Sequence, residues 1–178
     1  MAVPAVSGAG CSEGKTLMPP ALGPTLKTLL FTILVPGFVV VYVPYTLLGH
    51  IYRPSHGPLS WIGVLSILGG ACIYFRCAWE FAVRGLGTPA PIAPTKCLVV
   101  GGLHRWVRNP MYIGVLLVIL GQAALFDTAR VAMYGRLCIL MAHIFVLVYE
   151  EPTLRRQFGE SYEQYLRTVP RWIPRFRK

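Results

Sequence analysis

Acidic residues are scarce in this chain. There are 7 against 17 basic ones, and charged residues of both signs make up only 13% of 178 positions, while 54% are hydrophobic. So small a charged fraction excludes an ordinary soluble domain and points to a membrane protein. No Gly-rich dinucleotide fingerprint is present, which argues against a Rossmann-type cofactor site. The five cysteines (Cys11, Cys72, Cys77, Cys97 and Cys138) are odd in number, scattered, and without metal-ligand spacing. They offer neither a disulfide framework nor a zinc site. No internal repeat is visible.

What is abundant is uncharged apolar sequence. "LLFTILVPGFVVVYVPYTLLG" (29–49), "LSWIGVLSILGGACIYF" (59–75) and "PMYIGVLLVILGQAALF" (110–126) carry no charge, and "VAMYGRLCILMAHIFVLVY" (131–149) carries only Arg136 and His143. About 20 residues cross a bilayer, and snorkelling flanks extend shorter runs. The reading is an all-α integral membrane protein with four transmembrane helices, at about 26–49, 59–80, 110–126 and 131–150, forming one domain over 1–178. The first run is too long, and lies too far from Met1, for a signal-peptide core. "GAGC" at 8–11 has no apolar stretch before it and is not taken as a lipidation site.

The net charge of +10 would suit nucleic acid, but topology accounts for it. Lys15 and Lys27 lie in the head. Arg84, Lys96, Arg105 and Arg108 lie in the 84–108 connector. Arg155, Arg156, Arg167, Arg171, Arg175, Arg177 and Lys178 lie in the tail, whereas the two short loops hold only Arg53 and Arg130. The positive-inside rule puts both termini and the connector in the cytoplasm. A nucleic-acid partner becomes unnecessary. Two spans before the connector are compatible with a bacterial inner membrane rather than the endoplasmic reticulum.

The connector, "RGLGTPAPIAPTKCLVVGGLHRWVRNP" (84–110), cannot be one long helix, because Pro89, Pro91 and Pro94 interrupt it. Trp106 and the neighbouring arginines suit an interfacial anchor. In the tail, "EEPTLRRQF" continues the fourth helix, Gly159 is a C-cap, and "ESYEQYLRTV" is a short amphipathic helix with Tyr162, Tyr165, Leu166 and Val169 on one side. The closing "PRWIPRFRK" reads as a segment resting on anionic lipid.

Spans three and four form a hairpin. At 1.5 Å per residue they are about 25 and 30 Å long, so their cytoplasmic ends return to nearly one level. Asn109-Pro110 opens one helix and Glu150-Glu151 closes the other. Taken alone, Asn109 and Pro110 are an N-cap and a first-turn proline. Acids at a helix C-terminus oppose the macrodipole and want a cation: Arg105, Arg108 or a ligand. The exposed N–H groups at the start of the third helix favour an anion. The two ends together suit a mixed-charge ligand. His143, seven residues before Glu150, is either a packed hydrogen-bonding residue or a functional one.

"GTPAP", "LVVGGLHRWVRNPMYIG" and "YEEPTLRRQFGESYEQYLRTVP" together resemble the isoprenylcysteine carboxyl methyltransferase family, which is related to the membrane phospholipid methyltransferases. The resemblance covers about residues 84–174. It implies S-adenosylmethionine as cofactor and a lipophilic or prenylated substrate reached from the bilayer. Carried over by alignment, Lys96, Cys97, Leu98 and Val99 line the cofactor pocket, with His104 where the family often has Tyr. Asn109, Pro110, Met111 and Tyr112 form the helix-mouth contact, and Glu150 is the acidic cofactor contact. Arg108, Glu151 and His143 are the candidate catalytic residues. Arg108 would hold a carboxylate, and Glu151 or His143 would serve as base if the acceptor were an amine. The chain departs from the family at two points. Asn109 stands where His is common, and Val146 where an Arg often holds the substrate carboxylate. Rival readings are N-methylation of a phospholipid or amine, and a non-catalytic lipid-binding membrane module.

Overall fold

The computed structural model describes residues 34–49, 54, 57–84, 98 and 100–174, with the side chains of 81–84 excepted. Lys96, Cys97 and Val99 lie outside the described residues, as do the head and the "GTPAPIAP" stretch. The described residues are helical and contain no strand. Helix α1 runs Leu34–Leu48, α2 Pro58–Arg84, α3 Pro110–Leu125, α4 Ala129–Phe158 and α5 Glu160–Thr168. By length and composition, Pro58–Glu80 and Ala129–Phe158 are long and apolar enough to cross a membrane, while Leu34–Leu48 and Pro110–Leu125 are shorter apolar helices. The polar "EEPTLRRQF" does continue α4, and Gly159 ends it at φ 52°, with its N–H on the Arg155 carbonyl.

The chain divides into two compact units. One includes Leu29–Arg76 and Met111–Ile144; the other includes Cys77–Pro110 and Phe145–Lys178.

In the first unit, α2 and α3 touch backbone to backbone. A Cβ on Gly63 would stand 2.7 Å from the Gly121 carbonyl oxygen, and one on Gly114 would stand 2.8 Å from that of Gly70. Both helices space their glycines seven apart, two turns along one face, which permits this close approach. Leu48, Ile119, Ala123 and Val131 form the buried cluster. Trp61, Leu65, Phe75, Met133 and Leu137 face outward. Outward apolar side chains of this size suit lipid rather than water.

Helix α1 contains a wide π turn, Phe38–Tyr42, directly before Val43-Pro44. Proline has no N–H, so carbonyls one turn earlier lose their partner. The carbonyls at that place are filled by side chains from other helices: Gln122 Nε2 donates to Val40 O at 2.8 Å, and the Tyr134 hydroxyl donates to Val39 O at 3.0 Å. Unsatisfied carbonyls in an apolar medium cost several kcal/mol each, so these two polar residues belong to the packing of α1.

The same device recurs in the second unit. A π turn, Val146–Glu150, precedes Glu151-Pro152 within α4, and the Glu151 N–H reaches back to Val146 O. The Thr153 hydroxyl donates to Tyr149 O at 2.7 Å. A wide turn rotates the residues after it relative to α-helical spacing. The seven-residue interval from His143 to Glu150 passes through this turn, so it is not two α-helical turns. Helix α5 is amphipathic as expected. It buries Tyr162 and Tyr165, with Val169 just beyond its end, against Leu98, Val100, Leu154, Phe158 and Leu166.

Candidate active site at the entry to α3

The residues leading into α3 are held by the far end of the chain. After α5, the backbone turns extended at Val169 and passes beside Arg108 and Asn109. The Arg108 N–H donates to Pro170 O at 2.9 Å, and the Asn109 amide nitrogen reaches Arg171 O at 3.4 Å, a long contact. The end of the connector is thereby tied to the tail.

At the centre of this arrangement stands Glu151, a buried carboxylate. Arg108 Nη1 donates to its Oε1 at 3.0 Å. Arg171 grips it from the other side, with Nε on Oε1 at 2.7 Å and Nη2 on Oε2 at 3.0 Å. The second grip is the planar bidentate fork that only arginine makes. Hydrogen bonding to Glu151 pushes the already high Arg171 pKa further up. Arg108 also meets the Tyr162 hydroxyl, while its buried Nε has no hydrogen-bond partner among the described residues. Burial, followed by the charge of Glu151, pushes the Tyr162 hydroxyl up to about 12. Tyr165 is likewise raised, first by burial. Both phenols stay neutral at physiological pH and serve as hydrogen-bonding groups.

The sequence placed Asn109 and Glu150-Glu151 near one another through the hairpin, and Arg108 and Glu151 do meet across 43 positions. Asn109 and Pro110 are buried beside them, and Glu150 is half-buried next to Glu151. Leu98 lies against the Tyr162–Tyr165–Val169 cluster. Met111 and Tyr112 fall in the first turn of α3 and His143 in α4, all half-buried and all counted with the first compact unit.

Arg171 departs from its reading as a tail residue resting on lipid. It turns inward because Glu151, at a π turn followed by proline, presents a carboxylate that one arginine leaves half-satisfied. Exposed Ile173, two residues on, still suits the interface.

Sequence reasoning also passed over Glu80. It is 2% exposed and sits one turn before the end of α2. Its Oε2 lies 3.8 Å from His104 Nδ1. The His104 side chain is thus directed at Glu80, and its carbonyl accepts the Tyr165 hydroxyl at 2.8 Å. A lone acid closing an otherwise apolar span was the available signal. Burial lowers the His104 pKa, against the Glu80 charge and hydrogen bond, which raise it. As pH falls, the unfolded chain therefore takes up this proton before the folded one. Stability contributed by neutral His104 is present above about 6.5 and is lost as pH drops below it. Thermal melts in detergent between pH 7.5 and 5 should show this loss, and His104→Gln should flatten it. A wild-type profile no steeper than the variant's would remove His104 as the cause.

The described structure is an all-helical protein of membrane character, with a buried mixed-charge cluster at the mouth of an apolar helix. Residues 59–161 match the family model for phospholipid methyltransferases, and the chain belongs to that family. It is also similar to the protein-S-isoprenylcysteine O-methyltransferase of Schizosaccharomyces pombe (strain 972), with 34% identity over 77 residues. That match covers 43% of this chain and 33% of the yeast protein, so the chain spans about a third of that relative's length. No solved structure matches.

Proposed function

We propose that the protein transfers a methyl group from S-adenosylmethionine to a lipophilic acceptor at the membrane surface, with the carboxylate of an isoprenylcysteine-like group as the first candidate. The observation that carries this reading is the Arg108–Glu151–Arg171 cluster at the entry to α3. The donor set fits the cofactor, which bears a carboxylate, an ammonium and a sulfonium. Two guanidiniums, a buried amide and two adjacent carboxylates offer both signs of charge in one place, and the buried Arg108 Nε has no hydrogen bond to a described residue. When bound, the cofactor supplies an electrophilic methyl group.

The residues of this chain then hold and orient. Arg108 and the Asn109 amide present donors to an anionic group, Glu150 takes the ammonium or a ribose hydroxyl, and Glu151 keeps both arginines in place. Leu98, packed against the Tyr162–Tyr165–Val169 cluster, offers an apolar wall. The family resemblance adds Lys96, Cys97, Val99, Met111 and Tyr112 as further cofactor contacts, to be tested by substitution. A carboxylate nucleophile needs no base, so catalysis rests on alignment and exclusion of water. In this reading the shorter apolar helices α1 and α3 cross the bilayer together with α2 and α4. Both termini and the connector lie on the cytoplasmic side of a bacterial inner membrane, and 84–174 carries the cofactor region.

The family description favours a second reading, N-methylation of a phospholipid. An amine must lose a proton. Both oxygens of Glu151 are engaged by arginines, which leaves His143 as the base to test.

Membranes containing the protein, given tritiated S-adenosylmethionine, should label a lipid-soluble acceptor. Alkali-labile label identifies an ester and alkali-stable label an N-methyl group. Purified protein that neither binds the cofactor by calorimetry nor transfers label would sink the proposal. Glu150→Ala is expected to weaken cofactor binding about ten-fold, the loss of one charge-assisted hydrogen bond. Unchanged affinity would remove Glu150 from the site.

A further inference from the structure

We propose that Glu80 is a positioning residue for this site: it fixes the connector turn Gly102–Arg105 and, through that turn, the pose in which Arg108 and Asn109 meet a cofactor. The inference rests on the methyl-transfer reading for what the site binds, but the placement of Glu80 stands independently.

Glu80 is poorly suited to its own helix. An acid near the C-terminal end of a helix opposes the macrodipole, and a buried carboxylate costs more than the apolar side chains around it. Its role lies outside α2. The Glu80 carboxylate occupies the space that a Cβ at Gly102 would need, in direct conflict with any side chain there. Gly102 is also at φ 56°, a left-handed conformation. Glycine is therefore required twice, once for backbone shape and once for the carboxylate lodged against it. His104, two residues on, turns its ring toward the same carboxylate, with Nδ1 3.8 Å from Oε2.

The other side of the turn is held by α5, through the Tyr165 hydroxyl on the His104 carbonyl at 2.8 Å. A four-residue turn gripped on two sides has little freedom. It is also internally tied, with the His104 N–H on Gly101 O at 3.1 Å, the Trp106 N–H on Leu103 O at 3.1 Å and the Val107 N–H on Leu103 O at 3.3 Å. Val107 is buried, and Arg108 is the next residue. A shift of the turn therefore passes through a short, hydrogen-bonded link to the guanidinium that meets Glu151. Displacements near 1 Å at a binding group are costly, whatever their origin.

Two substitutions separate this role from mere support of the fold. Glu80→Gln keeps the shape and removes the charge. Glu80→Asp keeps the charge and withdraws it by one methylene. Both are made in the full chain, in detergent or nanodiscs, and checked for monodispersity and helical content. The readouts are the Kd for S-adenosylhomocysteine by calorimetry, hydrogen exchange of the amides of 102–109, and KM against kcat for methyl transfer. Folded Glu80→Gln is expected to bind the nucleoside about ten-fold more weakly, with faster exchange confined to 102–109. KM for S-adenosylmethionine should rise while kcat at saturation changes less than about two-fold. Glu80→Asp should fall between the two, and it carries the test if Glu80→Gln does not fold. Wild-type affinity and exchange in a folded variant would overturn the inference, as would a fall in kcat with KM unchanged. If the wild type binds no nucleoside, it is the methyl-transfer reading that fails. Exchange at 102–109 still reports whether Glu80 holds the turn.

Discussion

Glu151→Ala is expected to reduce methyl transfer at least about 100-fold and to lower stability by about 3 kcal/mol, because two guanidiniums lose the carboxylate they share. Arg108 and Glu151 are nearly buried, with side chains 13% and 10% exposed, so removing the acid strands charge away from water. Arg171 is more open, and its share of the loss is smaller. Tritiated methyl transfer and thermal melting read the two effects separately. The variant also decides what Glu151 does. If it clamps the arginines, Arg171→Ala reproduces much of the activity loss, and the double variant is hardly worse than Glu151→Ala, since residues acting as a unit are not additive. If it is a base, Arg171→Ala is mild and Glu151→Gln is as damaging as Glu151→Ala. Activity in Glu151→Ala within a few-fold of wild type would remove the cluster from the reaction altogether.

The parts of this site that the sequence made legible are those with a local or hairpin signature. Pro110 starts a helix, Gly159 ends one, and a short loop from Asp127 folds α4 back along α3, so the hairpin alone implies that the ends bearing Arg108 and Glu151 come together, as they do. Arg171 was not legible, because its partner lies across an irregular segment whose path no periodicity describes. Its setting among Trp172, Pro174 and further basic residues looks the same whether the segment lies on lipid or turns inward. Glu80 was visible as a lone acid, but its meaning depends on Gly102, and nothing in the spacing from 80 to 102 says that a connector with three prolines returns to α2. The π turns were hidden for another reason. Val43-Pro44 and Glu151-Pro152 announce a disturbed helix, but whether proline kinks, ends or widens it depends on which side chains reach the freed carbonyls. At α1 these are Gln122 and Tyr134, some 80 and 95 positions away.

The adjacent glycines of α2 give the second large prediction, because they differ only in what faces them. Gly69 has nothing within 4 Å of the place a Cβ would take, whereas at Gly70 the added atom would stand 2.5 Å from Gly114 O and 2.9 Å from Leu117 Cβ. Helix propensity favours alanine equally at both positions, by about 0.5–1 kcal/mol. At Gly69 that gain should appear as a small rise in melting temperature. At Gly70 the neighbour is backbone rather than a movable side-chain tip, so α2 and α3 must separate along the length on which Gly63 and Gly121 also meet. A net loss of about 2–3 kcal/mol is expected for Gly70→Ala, and no monodisperse protein for Gly70→Leu. Melting in detergent, with size-exclusion chromatography of each variant, reads the difference. Equal behaviour of Gly69→Ala and Gly70→Ala would mean that the two helices do not cross on these glycines.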